Sequence, residues 1–128
     1  MKQKTSKTIL IIEDDSKMAR VLSERLSSEG FKIINASDGE EALRKVKSVT
    51  YDLILLDIIL PKMDGLEFLR RFKANHKNKK VPVVILTNLQ YDDDKVVELM
   101  KKGATDYLVK AKYSLSQLVK KVREKLEE

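Results

Sequence analysis

Asp57 stands where an apolar run, Leu53-Ile54-Leu55-Leu56, stops, and a loop shaped by Pro61 and Gly65 follows it. A carboxylate at the carboxyl end of an inner strand can act as a nucleophile toward a phosphoryl group. It does not stand alone. Glu13 and Asp14 close an earlier apolar run, Thr87 closes Val83-Val84-Ile85-Leu86, and Lys110 follows Leu108-Val109. If those runs are neighbouring strands, three carboxylates, a hydroxyl and an ammonium converge from four distant places. Crowded carboxylates repel one another, and a hard divalent cation with oxygen ligands relieves the repulsion. Mg²⁺ suits a site that keeps waters and also takes a phosphate oxygen. On this reading Asp14 and Asp57 are direct ligands, Glu13 acts through water, and the backbone carbonyl of Ile59 is a further ligand. An Asp57 oxygen attacks phosphorus in line while Lys110 holds charge on the equatorial oxygens and Thr87 hydrogen-bonds one of them.

The elements that must position these residues are legible as alternating periods. Short apolar runs at Thr8–Ile12, Phe31–Asn35, Leu53–Asp57, Pro82–Thr87 and Asp106–Val109 predict strands. Apolar positions at helical spacing fall between and after them: Met18, Val21, Leu22 and Leu26; Ala42, Leu43 and Val46; Leu66, Leu69 and Phe72; Val96, Val97 and Met100; Leu115, Leu118, Val119, Val122 and Leu126. Gly30 and Gly103 sit where helices end on a left-handed residue. Ser37 with Glu40, and Ser114 with Gln117, have capping-box spacing. Asp15, as an alternative to Ser16, and Asp64 are expected N-caps, with Gly65 supplying the turn, and Asp92-Asp93-Asp94 opens the fourth helix where the macrodipole favours acids. Strict alternation implies an α/β fold, with a parallel sheet, right-handed crossovers and helices on both faces.

The chain has 128 residues and no cysteine, which fits one domain with a core large enough to need no disulfide. Residues 1–6 are expected to be a tail and 7–128 the domain. The apolar run Ile9–Ile12 is too short for a signal-peptide core or a membrane span, so a soluble cytoplasmic protein is expected. A net charge of +6 raises a nucleic-acid role. Its distribution argues against one, because the bases gather in Arg70–Lys80 and the last helix without a base-reading helix. His76 reads as a lone surface histidine, and Met18, Met63 and Met100 as filler.

Taken together, Glu13-Asp14-Asp15, the loop Asp57-x-x-Leu-Pro-x-Met-Asp-Gly65, Thr87 after its apolar strand, and Gly103-Ala-Thr-Asp-Tyr-Leu-Val-Lys110 are specific. The chain resembles the receiver domain of bacterial two-component response regulators, of the single-domain chemotaxis type, over about residues 7 to 127. The resemblance implies a three-layer, doubly wound, flavodoxin-like (βα)5 fold with strand order 2-1-3-4-5. It implies Mg²⁺ dependence and a phosphorylated histidine donor, on a sensor histidine kinase or a histidine phosphotransfer protein. It further implies that Thr87 and the Tyr107 ring move together on phosphorylation and remodel the face made by helix four, strand five and helix five. That face would serve an unidentified downstream protein target or a phosphorylation-dependent dimer of an otherwise monomeric chain. Such a protein phosphorylates and dephosphorylates itself without being a turnover enzyme, and with no effector domain after Leu126 its signal passes through a partner, unless the chain is part of something longer.

Departures from the family pattern bear on tuning. Ala111 follows Lys110 where relatives usually carry a proline in a cis bond, Asn88 replaces a small residue, and Ile59 and Leu89 are apolar where many relatives carry groups that orient hydrolytic water. A long-lived acyl phosphate is expected from the last two. Other classes are weaker: a flavin carrier would need a hydroxyl- and glycine-rich loop after strand one, and an aspartyl phosphatase a second acid where Ile59 stands. A degenerate receiver acting only as an interaction module is the main alternative, and the intact acceptor set argues against it.

Overall fold

The computed structural model describes residues 7–126, so the expected tail at 1–6 lies outside the described residues. Five strands, β1 (Thr8–Ile12), β2 (Lys32–Ala36), β3 (Leu53–Leu56), β4 (Val83–Thr87) and β5 (Asp106–Val109), form one parallel sheet in the order β2-β1-β3-β4-β5. They alternate with α1 (Ser16–Ser28), α2 (Gly39–Ser48), α3 (Gly65–Ala74), α4 (Asp93–Lys101) and α5 (Leu115–Lys125). The flavodoxin-like order expected above is the order found. Among the described residues no helix is long and apolar enough to cross a membrane.

Side chains in a strand point alternately to opposite faces, and the three inner strands are apolar on both. Ile9, Ile11, Leu53, Leu55, Val84 and Leu86 pack with Leu22 and Leu26 of α1 and Leu118 and Val122 of α5. Leu10, Ile12, Ile54, Leu56, Val83 and Ile85 face the other way, against Ala42, Phe68, Phe72 and Leu99 of α2, α3 and α4. Each fully buried Leu, Ile or Phe contributes roughly 1.5–3 kcal/mol, so both layers are firmly held.

Most boundary signals act as expected. Asp15 caps α1 through the Lys17 and Met18 amides, Asp64 caps α3 through Glu67, Asp92 caps α4 through Lys95, and Ser114 with Gln117 forms a capping box on α5. Gly30 and Gly103 adopt φ of 100° and 115°. One expectation is corrected. The cap of α2 is Asp38, which accepts from the Glu41 amide at 2.8 Å, while the Glu41 carboxylate accepts from the Ser37 amide at 2.7 Å. The Ser37–Glu40 pair gives way because an aspartate one residue later does the same work and leaves Gly39, pressed on the Met63 carbonyl, as first helical residue. Gly65 closes its loop as expected, its amide on Ile58 O, while the left-handed residue there is Lys62, at φ 65°. A side chain at Gly65 would meet the Asp57 backbone oxygen at 2.4 Å, so close approach is what demands glycine there.

Candidate phosphoryl-transfer site

The chain leaves β1 toward β2 on one side and returns through β3 on the other, so the crevice lies between the ends of β1 and β3. Register pairs Ile12 with Leu56 and Thr87 with Val109. The residue after each strand is thus delivered to one place. The Glu13 amide donates to Ala36 O and the Asp57 amide to Ile12 O, both at 3.0 Å, which extends the ladder by one bond and locks both backbones. Behind Asp57, the Gly65 amide donates to Ile58 O at 2.8 Å and closes the loop.

Within the crevice, oxygens of Glu13, Asp14 and Asp57 all lie within 4.8 Å of one another. Glu13 and Asp57 are only 4% and 6% exposed, whereas Asp14 is open to solvent. Lys110 Nζ donates to Asp57 Oδ2 at 2.8 Å and to Glu13 Oε1, so one ammonium bridges the two buried carboxylates. The Ile59 amide donates to Asp57 Oδ1 at 3.3 Å, and the Asp15 amide to Glu13 Oε2 at 3.2 Å. Burial pushes the Glu13 carboxyl above its ordinary range, against the pull of Lys110. Burial alone would lower the Lys110 ammonium, but the hydrogen bonds it gives Asp57 and Glu13 reverse this and hold it above the usual lysine value. One cation for three carboxylates leaves an excess of negative charge, and the donors are all oxygen. The cluster could hold a metal ion, and its chemistry fits a hard divalent one.

Thr87 is fully buried at the end of β4, and its hydroxyl accepts from the Leu89 amide at 3.3 Å. Tyr107 is half-buried; its hydroxyl donates to Leu89 O and accepts from the Tyr91 amide at 3.1 Å, while its ring stacks on Tyr91 with centroids 6.0 Å apart. Both residues expected to work together therefore grip one loop, residues 88–92. The Ile59 side chain is 60% exposed at the mouth of the crevice. The described residues contain no cis peptide bond, so Lys110-Ala111 is trans and opens a short 3₁₀ turn, Lys110–Lys112.

Three features were not anticipated from the sequence. Glu13 meets Lys110 directly, Tyr91 is the stacking partner of Tyr107, and Lys62 reaches Asp38 with Nζ 3.7 Å from Oδ2, tying the acceptor loop to α2. Tyr91 stands just before the Asp92 cap with Val96 four positions into the helix, which is hydrophobic-staple spacing and a usable signal. The Lys62 tie left none.

Comparison with known proteins agrees with this geometry. The chain is 38% identical over 115 residues to the response regulator ArlR of Staphylococcus saprophyticus, an alignment covering 90% of this chain and 50% of that protein. It thus spans about half the length of the curated relatives it matches. Its fold superposes on a two-component response regulator from Clostridium difficile with a TM-score of 0.86 at 32% identity, covering 96% of this chain and 98% of that one. For the chemotaxis response regulator CheY4 of Vibrio cholerae the values are 0.87 and 29%, covering 94% and 99%. The family model described as the response regulator receiver domain matches residues 9–123, and the chain belongs to that family.

Proposed function

We propose that this chain is a phosphoacceptor of a two-component phosphorelay, with Asp57 taking a phosphoryl group from a phosphohistidine. The observation that carries the reading is the Asp57 carboxylate itself, buried beside two further acids and held by Lys110 and the Ile59 amide. An Asp57 oxygen bonds to phosphorus as the phosphorus–nitrogen bond breaks. The donor imidazole leaves with that electron pair, as neutral imidazole when its other nitrogen already carries a proton and otherwise by taking a proton from solvent. Lys110 Nζ, already 2.8 Å from Oδ2, stays beside the incoming group and shares its equatorial charge. The Thr87 hydroxyl turns from the Leu89 amide to donate to a phosphoryl oxygen.

Glu13, Asp14 and Asp57, with the Ile59 carbonyl, would hold Mg²⁺, which supplies a positive charge that offsets carboxylate repulsion and neutralises phosphoryl oxygens. Sequence kinship to response regulators supports a sensor histidine kinase or histidine phosphotransfer protein as donor and a protein target as receiver of the signal. The proposed output is the α4-β5-α5 face, reached through the loop that Thr87 and Tyr107 share, and used for target binding or dimerisation. The chain accepts and loses its own phosphoryl group in the cytoplasm without turning over an external substrate. Apolar Ile59, exposed beside the acceptor, and apolar Leu89, two residues after Thr87, support a slow loss.

The test is intact-mass spectrometry of the wild type and Asp57→Ala after incubation with Mg²⁺ and a small phosphodonor. The wild type gains one phosphoryl mass and the variant gains none. Equal gain in both, or gain in neither, overturns the assignment.

A further inference from the structure

The sheet's amino end carries a cavity that the acceptor chemistry does not use. Its volume is about 350 Å³, and it lies between the end of α2, the segment leading into β3, the second half of α3 and the loop before β4. Its floor is apolar, from Val46, Phe72 and Val81, and its rim carries Lys47, Arg71 and Lys77 with no carboxylate among the lining residues. Arg71 already pairs with Glu67 at 2.7 Å; Lys47 and Lys77 have no acidic partner among the described residues. Lys47 and Arg71 lie in the last turns of their helices, where the dipole alone favours a cation. The helix ends therefore account for part of the charge.

They do not account for Tyr51. This residue lines the cavity, is only 4% exposed, and its hydroxyl makes no hydrogen bond with the described residues. Among the described residues every fully enclosed polar side-chain atom has a partner, so the Tyr51 phenol oxygen, which has none, is accessible and not enclosed. An accessible hydroxyl that no protein group engages can donate to a ligand acceptor in place of water. Burial also pushes the phenol above its ordinary pKa.

We propose that this cavity is a second binding site, distinct from the acceptor crevice, for a small organic anion with one ring-sized apolar body. The ring would lie on Phe72 and Val46, the charge between Lys47 and Lys77, and an acceptor oxygen on the Tyr51 hydroxyl. The volume falls at the small end of the range for ligand pockets, about 300–1,000 Å³, which suits a single ring and not a peptide. The prediction is about recognition alone and does not depend on phosphorylation of Asp57.

Phenylphosphonate, which cannot transfer its phosphoryl group, is the probe, titrated into the ¹⁵N-labelled full chain without divalent cation and followed by amide chemical shifts. Saturable shifts are expected at residues 46–51 and 75–81. Methylphosphonate, with charge and no ring, and benzyl alcohol, with ring and no charge, should each bind about tenfold more weakly or worse. Tyr51→Phe keeps the buried ring and should weaken phenylphosphonate about fivefold, the loss of one hydrogen bond. The double variant Lys47→Gln/Lys77→Gln should weaken it at least as much. Absence of saturation at these amides, shifts confined to the Glu13 and Asp57 end, or unchanged affinity in both variants overturns the proposal.

Discussion

Lys110 holds one positive charge between two carboxylates that water scarcely reaches, and its removal leaves both uncompensated. Lys110→Met preserves volume and apolar stem but not charge. Breaking a buried pair from one side costs about 3 kcal/mol, and urea unfolding without divalent cation should show a loss of that order. Added Mg²⁺ should narrow the gap, because it supplies the missing charge at the same carboxylates; a gap that Mg²⁺ leaves unchanged would show that Lys110 matters through packing. Asp38 makes a second prediction. The hydrogen bond from the Glu41 amide, aided by Lys62, holds its carboxyl below the ordinary aspartate value. A lowered carboxyl stabilises the fold fully above its unfolded pKa, and that contribution is lost as pH falls through the lower, folded value. Asp38→Ala should cost about 1 kcal/mol at neutral pH, the usual price of a lost N-cap. The difference from wild type should shrink in unfolding curves taken below the ordinary aspartate range. An undiminished difference in acid would rule out the charge as its source.

Strands and caps were legible because their signals are local: an apolar run such as Leu53–Leu56, or an acid just ahead of a helical period such as Asp92, carries its own explanation. The Ser37–Glu40 expectation failed by one residue because two capping side chains compete there, and Gly39 against Met63 decides between them across the fold. No local pattern contains that contact. Gly65 carries a related lesson, since a turn was legible there but the close approach of the Asp57 carbonyl that demands glycine was not. Gly65→Ala should therefore lose about 1–3 kcal/mol by overpacking, and it should also slow acyl phosphate formation by displacing Asp57. Lost stability with unchanged phosphorylation kinetics would separate the loop from the acceptor. The β4–α4 connection offers a gentler test. Tyr107→Phe keeps the stacked ring but removes the hydroxyl that serves Leu89 O and the Tyr91 amide. Hydrogen exchange should then lose protection at Tyr91 well before the core strands do, with a stability loss of about 1 kcal/mol.

At the scale of the molecule, strand order decides which distant residues meet. The meeting of Glu13, Asp14, Asp57 and Lys110 was readable because parallel strands deliver their carboxyl ends to one edge, whatever the exact boundaries, and Thr87 ends β4 at that same edge. Direct pairing of Glu13 with Lys110 was not readable, since both could have turned to solvent or to a metal. That pairing leaves a fold under electrostatic tension, with three carboxylates and one ammonium at the β1–β3 switch point. Ligand linkage converts the tension into a measurable stability. A cation that binds the folded chain alone adds about 1.4 kcal/mol at ten times its dissociation constant, a rise in melting temperature of about 4–8 °C for a domain near this size. Asp14→Asn removes one repelling charge without emptying the core, because Asp14 is solvent-exposed. It should melt higher than wild type in chelator and gain much less from Mg²⁺, so the two melting curves should converge or cross as Mg²⁺ is added. If Asp14→Asn instead melts lower in chelator and keeps the full Mg²⁺ response, the carboxylate cluster is neither strained nor the place where the metal binds.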